Sequence, residues 1–149
     1  MNNNGVHFMM PTIFDDSGKI DLELVPQGTL AERMRNAGAG LGGFLTPTAL
    51  GTEIAEGKRH MDVDGKTYVL EKPLHADVAL IKAEKVDPRG NLTYRMSGRN
   101  FNPIMAMAAK HTIAQVSEEV ALGDIDPAIV VTPGIYVDRY VIHVEDSVS

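Results

Sequence analysis

Alternation and helical spacing of apolar residues divide the chain into short elements. Ile20, Leu22 and Leu24 alternate with Asp21 and Glu23, the period of a half-buried strand, and Pro26 ends the pattern, so a strand is predicted over Ile20–Val25. Pro26-Gln27-Gly28 then reads as a strand-to-helix turn. In the helix that follows, Thr29 is placed to act as N-cap with Glu32 as its capping-box partner. Leu30, Met34 and Ala37 fall on one face, and Gly38 is the expected stop. Gly40, Gly42 and Gly43, with Phe44, Thr46, Pro47 and Thr48, are too rich in glycine for the interior of a helix or strand and predict a loop with special backbone angles.

Asp64-Gly65, set between His60-Met61-Asp62-Val63 and Thr67-Tyr68-Val69-Leu70, predicts a two-residue hairpin. Val78–Ile81 is a continuous apolar run, the pattern of a strand buried on both faces. Asp87-Pro88-Arg89-Gly90-Asn91 turns the chain into Leu92-Thr93-Tyr94. Asn102 and Pro103 read as N-cap and first residue of a helix through Lys110 whose apolar body implies burial or an interface. Ile113–Val116 and Ile129–Thr132 predict further strands, and Ile135–Val144 a terminal extended segment. The resulting class is α/β, an open mixed or parallel sheet with flanking helices and no internal repeat. Residues 1–19 lack a sustained period and are expected to form a weakly structured lead-in to one domain over 20–149.

Composition narrows the function classes. A chain of 149 residues with 44% hydrophobic and 23% charged residues can bury a core as one globular domain, without disulfides or metals to hold it. No cysteine is present, so thiol nucleophiles, disulfides and thiolate metal sites are excluded together, which fits a cytoplasmic setting. The N-terminal residues show no basic-then-apolar leader and no apolar run has the length of a membrane span; neither secretion nor a membrane partner is expected. A net charge of -6 opposes nucleic acid as a partner. Lys82, Lys85, Arg89, Arg95 and Arg99 cluster with only Glu84 and Asp87 as acids between them; alone they read as solvated surface, without excluding an anionic ligand. His75 and Asp77 share a strand face but are too few for a metal site, so no metal is expected. His7, His60, His111 and His143 read as ordinary surface polarity, and Glu53, Glu56 and Glu71 as surface acids. No serine lies in a nucleophile elbow.

Several blocks, in order, carry a resemblance. Val25-Pro26-Gln27-Gly28-Thr29-Leu30-Ala31-Glu32-Arg33, Gly38-Ala39-Gly40 with Phe44 and Thr46-Pro47-Thr48, Asp87-Pro88-Arg89-Gly90-Asn91-Leu92, Arg99-Asn100-Phe101-Asn102, and Val131-Thr132-Pro133-Gly134-Ile135-Tyr136-Val137 resemble the A (alpha) component of the 3-oxoacid and acetate CoA-transferases. The resemblance runs from about Leu22 to Ile142. It implies a CoA-transferase-like fold shortened at its N-terminus, without the family's Gly-Gly-Phe signature and substrate-orienting asparagine. Gly42-Gly43-Phe44 is not that signature, because it follows Gln27 and its helix.

The resemblance further implies one component of a heteromeric enzyme that moves coenzyme A between a short-chain acyl-CoA and a carboxylic acid, with the CoA thioester as substrate and no permanently bound cofactor. The nucleophilic glutamate is then expected on a B-subunit partner, since no Glu here precedes Asn-Gly. Gln27 would give a side-chain amide to the oxyanion or substrate; holding the turn is the other reading of the same residue. Gly38, Gly40, Gly42, Gly43 and Phe44 would form the substrate-pocket wall, while the bends of the chain account for the same glycines structurally. A catalytically inert structural or binding remnant of the family is the alternative function.

Overall fold

The computed structural model describes residues 24–143. The predicted lead-in and most of the predicted strand Ile20–Val25 lie outside them; Leu24 and Val25 are in neither helix nor strand.

The first helix, α1 (Gln27–Gly38), starts two residues before the expected cap. Its opening bond runs from the Leu30 amide to the Pro26 carbonyl at 2.9 Å, so Pro26 is the N-cap and Thr29 is buried inside the first turn. The capping box is therefore not formed: proline already sets the φ that a helix entry needs. The helix end also shifts. Gly40, at φ 68°, takes the left-handed position assigned to Gly38; its amide meets the Ala37 carbonyl at 3.1 Å, and the Leu41 amide meets that of Asn36 at 2.9 Å. These two bonds satisfy the last carbonyls of the helix.

Two sheets follow. A three-stranded antiparallel sheet, ordered β1-β3-β2, is built from β1 (Phe44–Thr46), β2 (His60–Val63) and β3 (Lys66–Glu71). The Asp64-Gly65 hairpin is present, with both residues at positive φ, 51° and 76°. That backbone twist matches paired strands, which explains the Asp-Gly choice.

The second sheet, ordered β5-β4-β6-β7, contains β4 (Ala76–Val86), β5 (Leu92–Thr93), β6 (Ala109–Glu119) and β7 (Arg139–Ile142). β4, β6 and β7 run parallel, and β5 is an antiparallel return on the end of β4. The expected mixed, largely parallel sheet is thus present, joined by a small antiparallel sheet that the periodicity did not separate out.

β4 corrects the reading of Val78–Ile81 as buried on both faces. Ala79, Ile81 and Ala83 are buried, while Val78 and Leu80 are 52% and 53% exposed. Along this stretch of β4 only one face is covered. The cover is α2 (Asn102–Ala108), two residues shorter than predicted and preceded by Phe101 as N-cap. Ile104 and Ala108 of α2 join Met34 and Ala37 of α1 and Phe101 in one cluster, so the apolar helix is buried within its own chain. Ala106 faces the other way, into a second cluster with Ile81, Val86, Leu92, Ala114 and Val116.

Ile129–Thr132 is not a strand. A 3-10 turn occupies Pro127–Ile129, and only a single bridge pairs Thr132 with Leu92. Another 3-10 turn at Gly134–Tyr136 precedes β7, so the terminal extended segment is shorter than Ile135–Val144.

Candidate functional site

A groove of about 480 Å³ lies between the start of α1 and β1. Pro26, Gly28, Thr29 and Glu32 form one wall, and Phe44, Thr46 and Thr48 the other. The walls come together because α1 begins at Pro26 and because Phe44 and Thr46 alternate onto one face of β1. The Thr46 hydroxyl donates to the Thr48 hydroxyl at 3.0 Å and accepts from the Thr48 amide at 3.1 Å, bending the chain after β1. Glu32 is ion-paired with Arg35 on the outer side of the helix.

Of the residues singled out in the sequence, Phe44 lies in the groove and Gln27 is exposed between two residues that line it. The glycines are distributed differently. A Cβ on Gly38 would stand 2.5 Å from the Met107 Cβ, so this glycine lets α1 approach α2. Gly40 ends the helix. Gly43, at φ 137°, leaves no room for a Cβ, which would stand 2.5 Å from the Glu71 carbonyl oxygen. Gly42 has open space around it. The groove glycine is Gly28, which sequence reasoning left inside a turn, and the hydroxyls of Thr46 and Thr48 were equally unassigned. The Thr46-Pro47-Thr48 block was the signal available for them.

Glu71 is a second correction. It is 3% exposed, not a surface acid, and the Lys58 ammonium sits 2.8 Å from its carboxylate. Asn36 is also buried on α1; its amide nitrogen donates to the Glu32 carbonyl at 2.8 Å, while its side-chain oxygen has no partner among the described residues.

His75 precedes β4 instead of sharing its face with Asp77, and Asp77 is 2.7 Å from Lys110. The ammonium's hydrogen bond and charge lower the Asp77 pKa, and the carboxylate in turn raises that of Lys110. Among the described residues no three His, Cys, Asp or Glu side chains group as metal ligands.

A second groove, of about 350 Å³, lies at the far end of β4 and β5. Lys85 and Arg99 balance Glu84 and Asp124 in formal charge there, and Lys85 is 3.3 Å from Glu118. Tyr94 forms its floor. Burial raises the phenol to a pKa of about 12, against the opposing effect of its 2.6 Å hydrogen bond with Thr132. Lys82, Arg89, Arg95 and Arg99 are exposed, as the solvated-surface reading requires. No helix among the described residues is long and apolar enough to cross a membrane.

The coenzyme A transferase family model matches residues 6–143, reaching well upstream of Leu22, where the resemblance was expected to begin. The A component of the 3-oxoadipate CoA-transferase of Pseudomonas putida is 60% identical over 132 residues, covering 87% of this chain and 57% of that protein. The alpha component of the acetate CoA-transferase of Escherichia coli (strain K12) is 53% identical over 129 residues, covering 87% of this chain and 59% of that protein. The chain therefore spans less than two thirds of the length of these curated relatives. Glutaconate coenzyme A-transferase from Acidaminococcus fermentans shares the fold, with a TM-score of 0.74 at 23% identity over 86% of this chain and 47% of that one.

Proposed function

The chain belongs to the coenzyme A transferase family, and we propose that it forms the A (alpha) component, or part of it, of a heteromeric enzyme moving coenzyme A between a short-chain acyl-CoA and a carboxylic acid. The observation that carries this reading is the groove, in which the turn bearing Gln27 lies beside Phe44 and the threonines that follow the glycine loop. The names of the relatives, acetate and 3-oxoadipate transferases, point to acetate and 3-oxo acids as the acid class.

The chemistry is a double displacement. A glutamate carboxylate of a B-subunit partner attacks the thioester carbonyl; the C–S bond breaks, coenzyme A leaves as thiolate, and an acyl-glutamyl anhydride remains. The thiolate then attacks the glutamyl carbonyl, releasing the first acid and leaving a glutamyl-CoA thioester. The second acid reverses both steps and departs as its own CoA thioester. Each addition places negative charge on one oxygen, and a preorganised amide answers it without trapping the anionic ground state.

Gln27 is suited to that role, being exposed at the first position of a 12-residue helix whose dipole is positive at that end. Gly42, with open space around it, and Phe44 are the parts of the predicted wall most available to a thioester arm; Gly38, Gly40 and Gly43 shape the backbone behind them. Glu71 is a poor substitute for the partner's glutamate, because Lys58 already occupies it. The groove is open to solvent on this chain alone, and a partner subunit would supply the cover that a water-poor reaction needs. With no cysteine to oxidise or protect, a cytoplasmic location fits.

The test is co-expression with a B-type subunit, followed by intact-complex mass and a transfer assay with acetyl-CoA and acetoacetate. A complex that turns over, and whose kcat falls about 100-fold or more in Gln27→Ala, is the expected result. A monomer, or an inert complex, overturns the proposal in favour of a catalytically inert binding remnant.

A further inference from the structure

Glu71 ends β3 almost fully buried, and it is ion-paired at 2.8 Å with Lys58, a side chain itself only 21% exposed. Burying two charges carries a desolvation cost that apolar residues of similar volume avoid, so packing alone is a weak reason for such a pair. Its placement supplies a better one. Glu71 is the antiparallel partner of Phe44, and directly opposed residues stand on the same face of a sheet. Phe44 lines the groove. The Glu71 carbonyl is the surface against which Gly43 packs.

The next residues reach the opposite wall. The Lys72 carbonyl accepts from the Arg33 guanidinium of α1 at 3.1 Å, and the Leu74 amide donates to the Arg33 carbonyl at 3.0 Å. The end of β3 thus ties the glycine-loop side of the groove to the helix side, and the carboxylate at that junction is neutralised by Lys58.

We infer that Lys58 and Glu71 form a positioning pair behind the Phe44 wall of this groove. The strand end at Glu71 backs Phe44 and Gly43, and Lys58 cancels a buried negative charge that would otherwise repel an anionic substrate. Neither residue touches the reacting atoms. The inference rests on the transferase reading above. It has a sign that a merely structural role lacks. Removing Lys58 alone leaves a bare carboxylate under the groove, whereas removing both charges leaves none.

The experiment uses Lys58→Met, Glu71→Gln, the double variant and the conservative Lys58→Arg in the chain co-expressed with a B-type subunit. Lys58→Met is expected to raise KM for acetoacetate about tenfold with kcat within about threefold, and the double variant and Lys58→Arg to recover most of that loss. A wild-type KM in a folded Lys58→Met, or a double variant worse than either single, overturns the inference. If the wild-type complex shows no transfer, the transferase reading fails, and amide exchange on the free chain tests the pair by itself. Faster exchange over Gly43–Thr46 in Lys58→Met, restored in the double variant, supports it; unchanged exchange overturns it.

Discussion

The two sheets of this chain are stabilised to different degrees by apolar burial. In the sheet of β4, β5, β6 and β7, Val86, Leu92 and Ala114 are at 0% exposure and Val116 at 1%, all in the cluster that α2 covers. In the sheet of β1, β2 and β3, Val69 is likewise at 0% exposure, but every residue of β2 is exposed, Phe44 and Thr46 are half-buried, and an ion pair occupies part of the interior. The first region excludes water by close-packed apolar side chains; the second leaves a groove lined by backbone and threonine hydroxyls. Stability and accessibility compete for the same surface, and the fold separates them onto two sheets.

Substitutions break this contrast in graded fashion. Leu92→Ala, at the centre of the packed region, is expected to cost about 3 to 4 kcal/mol of unfolding free energy in urea melts, because little around it can collapse into the void. Gly38→Val attacks the seam between the regions, where even a Cβ meets Met107; a loss of about 3 kcal/mol is expected from the same melts. If Gly38→Val costs less than about 1 kcal/mol, α1 is not held on α2 as described and the groove loses its fixed wall. In the thin region the costs fall. Gly40→Ala, forced to a φ of 68°, is expected to lose about 1 kcal/mol, and Gly42→Ala, with open space around it, less than about 0.5 kcal/mol. Equal effects at those two positions would refute the assignment of Gly40 as the helix stop.

A pH-dependent test concerns Asp87, just beyond β4. Burial pushes its carboxyl upward, but hydrogen bonds from the Asn91 side chain and from the Asn91 and Arg89 amides, with the Arg89 charge, outweigh burial and lower its pKa below 3.8. A carboxyl depressed in the folded state contributes stability that is complete above its ordinary value and is lost as the pH falls through the folded one. Asn91→Ala is therefore expected to lose stability in full at pH 7, where it also leaves the Gly134 amide without its acceptor, and to differ less from the wild type as Asp87 protonates; urea melts at pH 7 and in acid read the difference.

Local chemistry made part of this legible. Asp64-Gly65 named its own hairpin, since few residue pairs tolerate two positive φ angles in succession. Pro103 marked the start of α2 to within a residue. Where the sequence misled, a distant contact had taken precedence over a local signal. Thr29 looks like a cap because its hydroxyl suits one, yet Pro26 starts the helix earlier and packing takes Thr29 inside. Gly38 looks like a stop, yet its missing side chain serves Met107, 69 positions further along the numbering (107 − 38). Glu71 looks like a surface acid because nothing nearby in sequence announces Lys58 as its partner.

The candidate site divides along the same line. Ordered sequence blocks named Gln27 and Phe44 as candidates, and the family they indicate was readable from the same blocks. That Gly28 and three threonines share a groove with Phe44, and that a buried carboxylate stands opposite Phe44, became visible only in three dimensions. The sequence by itself determined the elements whose causes are local: turn dihedrals, alternation and helix periodicity. The tertiary structure decided which glycines serve packing and which the groove, and which acid is buried, because those outcomes depend on close approaches between segments far apart along the chain.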